Sequence, residues 1–171
     1  MRANFGQVKY WVILTLILLQ SSVYALSTDR DQPINIVADT ATIDDAKGIA
    51  IYEGNVVVTQ GSILIKSSKL TLTYTNGQSL TQAIAEGKPA TFQQTPNDKK
   101  GDIHASANRM EYRASEDILH LTKDAKLWQD KDSFTGAKIS YDTKEGVIRA
   151  EKGSDKDSPR VSVTIQPRKN K

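Results

Sequence analysis

Cysteine is absent from the 171 residues, and histidine occurs only twice, at His104 and His120. The first absence excludes a disulfide scaffold, a thiol nucleophile and any thiolate zinc site. The second leaves little for imidazole-based metal or acid–base chemistry. There is no Gly-x-x-x-x-Gly-Lys-Ser/Thr phosphate loop, no Gly-x-Ser-x-Gly elbow and no His-Glu-x-x-His pair, so the common nucleotide, acyl-transfer and zinc-protease signatures are missing. Aromatics make up only 6% of the chain, which leaves its apolar faces to Ile, Val, Leu and Ala. Neither charge sign dominates, with 23 Lys and Arg against 20 Asp and Glu.

One long hydrophobic run is present, at the start. Arg2 and Lys9 precede the apolar stretch Trp11–Leu19, broken only by Thr15, and Val23 and Ala25 close a polar exit. This is the three-part pattern of a secretory signal, with cleavage expected after Ala25. The stretch is too short for a spanning helix, which needs about 20 apolar residues. The signal carries two of the cations and no acid, so the mature charge is close to neutral and gives no broad field for nucleic acid. The residual positive bias sits at the C-terminus. Residues 26–166 read as one domain, followed by a basic tail over 167–171 that is expected to be disordered.

From Pro33 onward the apolar residues alternate. Ile34 and Ile36, Val56 and Val58, Ile63 and Ile65, and Leu70, Leu72 and Tyr74 each keep a period of two. Met110 and Tyr112, Leu119 and Leu121, Ile139 and Tyr141, and Val161, Val163 and Ile165 do the same. That spacing puts one face of each strand on an apolar interior, and turn signals such as Gly48, Gly54, Gly61, Gly101 and Gly146 separate the runs too closely for crossover helices. The chain is all-β. The apolar parity flips across Asp39-Thr40 and again across Lys66–Lys69, which predicts bulges or corners there. An internal echo aligns Ile36–Ile43 with Ile103–Met110 at an offset of 67, and Gly54–Gln60 with Lys123–Gln129 at 69, suggesting two similar halves.

The remaining polar candidates read as ordinary strand and turn residues. His104 and His120 fall in mixed strand segments. Asp44-Asp45 and Glu116-Asp117 sit beside turns, where acidic pairs are solvated punctuation rather than glycosidase carboxyls. Trp128 and Phe92 read as core packing before stacking platforms. The slim aliphatic face fits a slit for thin apolar guests and fits a thin core equally. Proline and charge flank the first and last apolar strands, as at guarded sheet edges.

The runs Ala38–Asp44, Ile51–Gly61, Ile63–Tyr74 and Gly87–Phe92 carry a resemblance. Tyr52-x-Gly-Asn-Val-x-Val-x-Gln-Gly61, followed by Lys69-Leu-x-x-x-Tyr74, resembles the OstA-like domain of lipopolysaccharide transport proteins over about residues 32–166. Ser68 departs from the acidic residue often found there. The resemblance implies a single β-jelly-roll of stacked antiparallel strands, open at both ends, with an apolar groove for lipid A acyl chains and no cofactor or metal. It implies contacts to acyl chains from Ile34, Ile36, Phe92 and Tyr112. Strand parity separately turns Val56, Val58, Ile63, Ile65, Leu121, Leu127 and Ile139 inward, as groove lining or as core. The resemblance further implies head-to-tail assembly in the periplasm between an inner-membrane ABC-type export complex, with its anchored OstA-like subunit, and an outer-membrane lipopolysaccharide translocon. Pro33, Ile34 and Val37 of one copy would meet Val161, Val163 and Ile165 of the next. The soluble bridge fits best; a membrane-anchored component of the same pathway and a structural or saccharide-binding adaptor are the alternatives.

Overall fold

A computed structural model describes residues 29–75, 79–96, 101–154, 156 and 158–167. The expected signal over residues 1–25, its cleavage after Ala25, and the tail beyond Pro167 lie outside the described residues.

A short 3-10 turn, Asp29–Asp31, precedes ten antiparallel strands in one sheet. They are β1 (Asn35–Val37), β2 (Thr40–Asp44), β3 (Ile49–Gln60), β4 (Ile63–Tyr74), β5 (Leu80–Gln94), β6 (Ile103–Arg113), β7 (Ile118–Gln129), β8 (Asp132–Asp142), β9 (Ile148–Glu151) and β10 (Ser162–Thr164). β3 to β8 form a meander, each strand pairing with the next. β1 and β2 share one edge of β3, and β9 and β10 share the outer edge of β8. The two edges are not paired to each other, so the sheet is unclosed.

A single sheet acquires an interior by bending. Register shifts fall between Glu53 and Val56, Lys66 and Lys69, Glu86 and Ala90, Ser106 and Arg109, and Thr122 and Ala125. These bulges stand side by side and divide every long strand into two arms, because extra residues in one strand bend it and shift its register against its neighbour. The expected flip across Lys66–Lys69 is one of them, and the flip at Asp39-Thr40 is the gap between β1 and β2. At the β3 corner Gly54 and Asn55 take φ of 79° and 44°, and at the β7 corner Lys123 and Asp124 take 63° and 58°. A Cβ on Gly54 would crowd the Asp39 side chain, and its φ lies in the left-handed region, so glycine suits this corner.

The corners also show the repeat. Asn55 Nδ2 donates to Asp39 at 2.9 Å, and Asn108 Nδ2 donates to Asp124 at 2.8 Å. Asp39 and Asn108 are 69 residues apart, as are Asn55 and Asp124, and the two residue types have changed places. The offset is therefore 69 at both corners. The value of 67 expected for the first segment is corrected, because an alignment of strand parity alone slides by two without penalty.

The arms fold toward each other around one core, in which Leu121, Leu127 and Ile139 are wholly buried and Val56 and Leu70 nearly so. Trp128 is not part of it. Leu127 faces inward, so Trp128 beside it points out, and the expectation of core packing is corrected for this residue. The outward faces carry ion pairs such as Lys69–Glu53 at 2.9 Å and Arg109–Glu86 at 3.2 Å, exposed enough to contribute little.

Candidate functional site

Antiparallel pairing places inward residues opposite one another, so each inward position begins a row across the sheet. In the first arm, Ile36, Val58, Ile65, Phe92, Ala105, Leu127, Phe134 and Val163 are successive cross-strand partners from β1 to β10. In the second arm one row runs Ala41, Tyr52, Leu70, Ala85, Met110, Leu121, Ile139, Ala150. The next runs Ile43, Ala50, Leu72, Ala83, Tyr112, Leu119, Tyr141, Ile148. Eight strands at about 4.8 Å spacing make each row about 34 Å long. No charged residue interrupts any of the three.

Most of the expected lipid-facing residues fall on these rows. Ile36, Val58, Ile65, Phe92 and Leu127 share the first-arm row, Leu121 and Ile139 share one second-arm row, and Tyr112 stands on the other. Ile63 lies one position further out, opposite Gln60, and Val56 sits at the corner opposite Ser67. Ile34 precedes β1 and is 45% exposed.

Between the arms lies a narrow, partly open cavity of about 30 Å³. Ile65 and Phe92 reach it from the first arm; Leu70, Ala83, Ala85, Met110, Tyr112 and Leu119 reach it from the second. Three expected residues therefore border open space, while Val56, Leu121, Leu127 and Ile139 are packed solid. Leu70, Ala83, Ala85, Met110 and Leu119 had not been expected to line a cavity. Leu70, Met110 and Leu119 do alternate in sequence, but alternation cannot distinguish lining from core. Ala83 and Ala85 are too small to register as an apolar strand face.

Polar groups hold the cavity wall and the strand ends. The Tyr112 hydroxyl donates to Asp117 at 3.1 Å, and the Asp117 carbonyl accepts from Thr143 N and Oγ1, tying the β6–β7 turn to the end of β8. At the far end of the first arm the Asp29 carboxylate accepts from Ser62 N at 2.7 Å, Ser62 Oγ at 2.8 Å and Gln94 Nε2 at 3.1 Å. Gln60 Nε2 donates to the Gln32 carbonyl there. These bonds strap the entering chain across the β3–β4 turn and the end of β5.

The edge residues form a second, separate set. Val37 is 68% exposed, Val163 47% and Ile165 70%; Pro33, Ile34 and Val161 are exposed as well. β1 and β10 stand at opposite edges of the sheet, so within one copy these residues do not meet.

Trp128 and both histidines on the outer face already have partners. The Trp128 ring already stacks on His104, with centroids 5.3 Å apart and 10° between planes, and carries the Lys126 ammonium at 5.3 Å. An indole so occupied is a poor platform for a sugar ring. His120 Nδ1 lies 3.0 Å from Ser140 Oγ on the outer face, distant from the cavity lining. Among the described residues no cluster of three His, Asp or Glu is placed to hold a metal, and no helix is long and apolar enough to cross a membrane.

Known proteins share this architecture and sequence. Residues 35–147 match the family model described as LptA/(LptD N-terminal domain) LPS transport protein. The lipopolysaccharide export system protein LptH of Pseudomonas aeruginosa is 37% identical over 160 residues, covering 91% of each chain. LptA of Haemophilus influenzae is 37% identical over 83% of each chain, and LptA of Escherichia coli K12 is 34% identical over 94% of this chain and 89% of its own. The crystal structure of LptH, described as the LptA-homologous periplasmic component of the lipopolysaccharide transport device of Pseudomonas aeruginosa, superposes with a TM-score of 0.74. It is 34% identical, over 81% of this chain and 99% of that one. The unclosed antiparallel sheet is thus the β-jelly-roll of that structure. The chain belongs to the LptA/(LptD N-terminal domain) family of lipopolysaccharide transport proteins, whose work is transport and not catalysis.

Proposed function

We propose that the protein is a periplasmic bridge module that shields lipid A acyl chains between its two arms and passes them along a head-to-tail row of copies. The observation that carries this reading is the set of uninterrupted apolar rows running from one sheet edge to the other. An acyl chain laid along such a row meets no buried charge at any of its eight strands.

The energetics require such a device. Exposing a methylene to water costs about 0.8 kcal/mol, so a chain of roughly a dozen costs about 10 kcal/mol. A carrier that offers one apolar row after another keeps every step of the passage close in energy. It needs no reactive group, and the driving force comes from an ATP-driven complex at the inner-membrane end.

The topology also supports continuation. The first-arm rows cross eight strands, an even number in a fully antiparallel sheet, so β1 and β10 run in opposite directions. β10 of one copy laid against β1 of the next therefore extends the sheet antiparallel. Pairing that continues the first-arm row would set Val163 opposite Ile36, Ser162 opposite Val37 and Thr164 opposite Asn35, so that the row passes from copy to copy without a shift. Exposed Val37, Val161, Val163 and Ile165 lie along this seam, with Pro33 and Ile34 at its end. The ends of the row of copies would meet the anchored OstA-like subunit and the outer-membrane translocon through the same edges.

The cavity is narrow and Leu121, Leu127 and Ile139 beside it are wholly buried, so loading requires the arms to part along the line of bulges. The test is saturable lipopolysaccharide binding by the purified protein and by Ile36→Asp and Phe92→Asp. Each substitution sets a carboxylate on the first-arm row and should abolish binding. Unchanged binding in both variants, with the fold intact by circular dichroism, would discard the interior as the lipid path.

A further inference from the structure

The chain enters the fold across the end of the first arm, and it does so on the inner side. Gln60 and Gln94 each follow an inward residue, Val58 and Phe92, by two positions, so both amides turn inward. Their cross-strand partners agree: Ile63 packs against the core, and Ile103 is buried. Both amides donate to the entering segment, Gln60 Nε2 to the Gln32 carbonyl and Gln94 Nε2 to the Asp29 carboxylate. Ser62 N and Oγ hold the same carboxylate, and the segment sits so close to Gly61 that a Cβ there would press on Asp29. One row deeper stand Ile65 and Phe92, the two first-arm residues that border the cavity. The segment therefore crosses the strands along which the interior is not filled.

We infer that residues 29–32 are an autoinhibitory strap: seated, they close the first-arm end of the interior, and lipid enters after the Asp29 carboxylate has left Ser62 and Gln94. This rests on the lipid-shielding reading above and adds to it a step that controls loading. Three features make the strap displaceable. It is a single 3-10 turn outside every strand, so its release breaks no β ladder. Its hold converges on one carboxylate, whose charge-assisted bonds are exchanged for water when it leaves. Seating it also leaves Gln94 Oε1 buried with no hydrogen bond from the chain, a cost that release removes.

The experiment locks and unlocks the strap. The chain has no cysteine, so a single engineered pair is unambiguous. Asp29→Cys with Ser62→Cys joins positions whose side chains touch at 2.8 Å, within reach of a disulfide. Lipopolysaccharide is titrated against the wild type, Asp29→Ala, and the cysteine pair oxidised and reduced. Asp29→Ala and the reduced pair should bind about tenfold more tightly than the wild type, as when a competent state populated about one part in ten becomes the major one. The oxidised pair should lose saturable binding and regain it on reduction. If the disulfide does not form, Asp29→Ala decides. A purely structural strap would lower the melting temperature of Asp29→Ala and leave its affinity at the wild-type value, and that result overturns the inference. Equal binding by the oxidised and reduced pair overturns it as well, and leaves the lipid-shielding reading standing. A wild-type protein without saturable binding, together with an Asp29→Ala variant that also lacks it, would overturn both.

Discussion

Leu127 separates two pictures of the interior. It has no exposed surface and stands between Ala105 and Phe134 on the first-arm row, outside the cavity lining. Truncation to alanine removes buried carbons where small, tightly placed neighbours cannot collapse far. Leu→Ala in well-packed cores costs about 2.7–5 kcal/mol, and the solid surroundings put Leu127→Ala in the upper part of that range. At about 2–4 °C per kcal/mol for a domain near 150 residues, the melting temperature should fall by about 10 °C or more. Phe92→Ala removes more atoms, but Phe92 already borders open space and forfeits fewer contacts. It should cost no more than Leu127→Ala. Calorimetry of both variants beside the wild type decides. A Leu127→Ala cost below about 1 kcal/mol would mean that this side of the interior is loosely filled, and the division into an open middle and a closed β7–β8 flank would be wrong.

Further expectations follow from the edges, the strap and the outer face. Removing residues from Val161 onward deletes β10 and should convert concentration-dependent oligomers into a monomer that still binds lipopolysaccharide; oligomers that persist in sedimentation would displace the proposed seam. Asp29→Ala leaves Ser62 N and Gln94 Nε2 without their acceptor and should speed amide exchange at Ser62 while leaving Met110 protected; equal rates at Ser62 would show that the strap bears no strain of opening. The Glu111 carboxyl is held below its usual range, chiefly by the hydrogen bond from Arg113, with Gln82 and Arg109 adding to it against the opposing effect of burial. A depressed folded-state value means a contribution present at neutral pH and lost as pH falls through that value. Glu111→Gln should therefore flatten the acid-side loss of melting temperature relative to the wild type. An unchanged acid limb would remove Glu111 from the account.

Much of the fold was legible because a half-buried strand must alternate. The strands around Val56, Leu72, Tyr112 and Ile139 and the parity flip across Lys66–Lys69 could be placed from that pattern alone, since one extra residue reverses the inward face. Trp128 shows that strand parity outranks hydrophobicity: Leu127 turns inward and so fixes the neighbouring indole on the outer face. The repeat offset was blurred for a related reason, because period-two sequences align nearly as well two residues out, and only the Asp39–Asn55 and Asn108–Asp124 bonds fix the corners. The site was less legible. Ile65 and Leu127 look alike in sequence, and which of them borders a void depends on what faces it from the other arm. The void itself comes from Ala83 and Ala85, residues whose contribution is the volume they do not fill.

The central claim is that the inward rows, and not the outer face or the sheet edges alone, hold the acyl chains. A photo-reactive residue placed singly at positions 36, 92 and 112, and at the outward positions 35 and 91, tests it directly with bound lipopolysaccharide. The account predicts crosslinks to lipid from 36, 92 and 112 and none above background from 35 and 91. Crosslinks of equal yield from both faces, or from the outward positions alone, would contradict it.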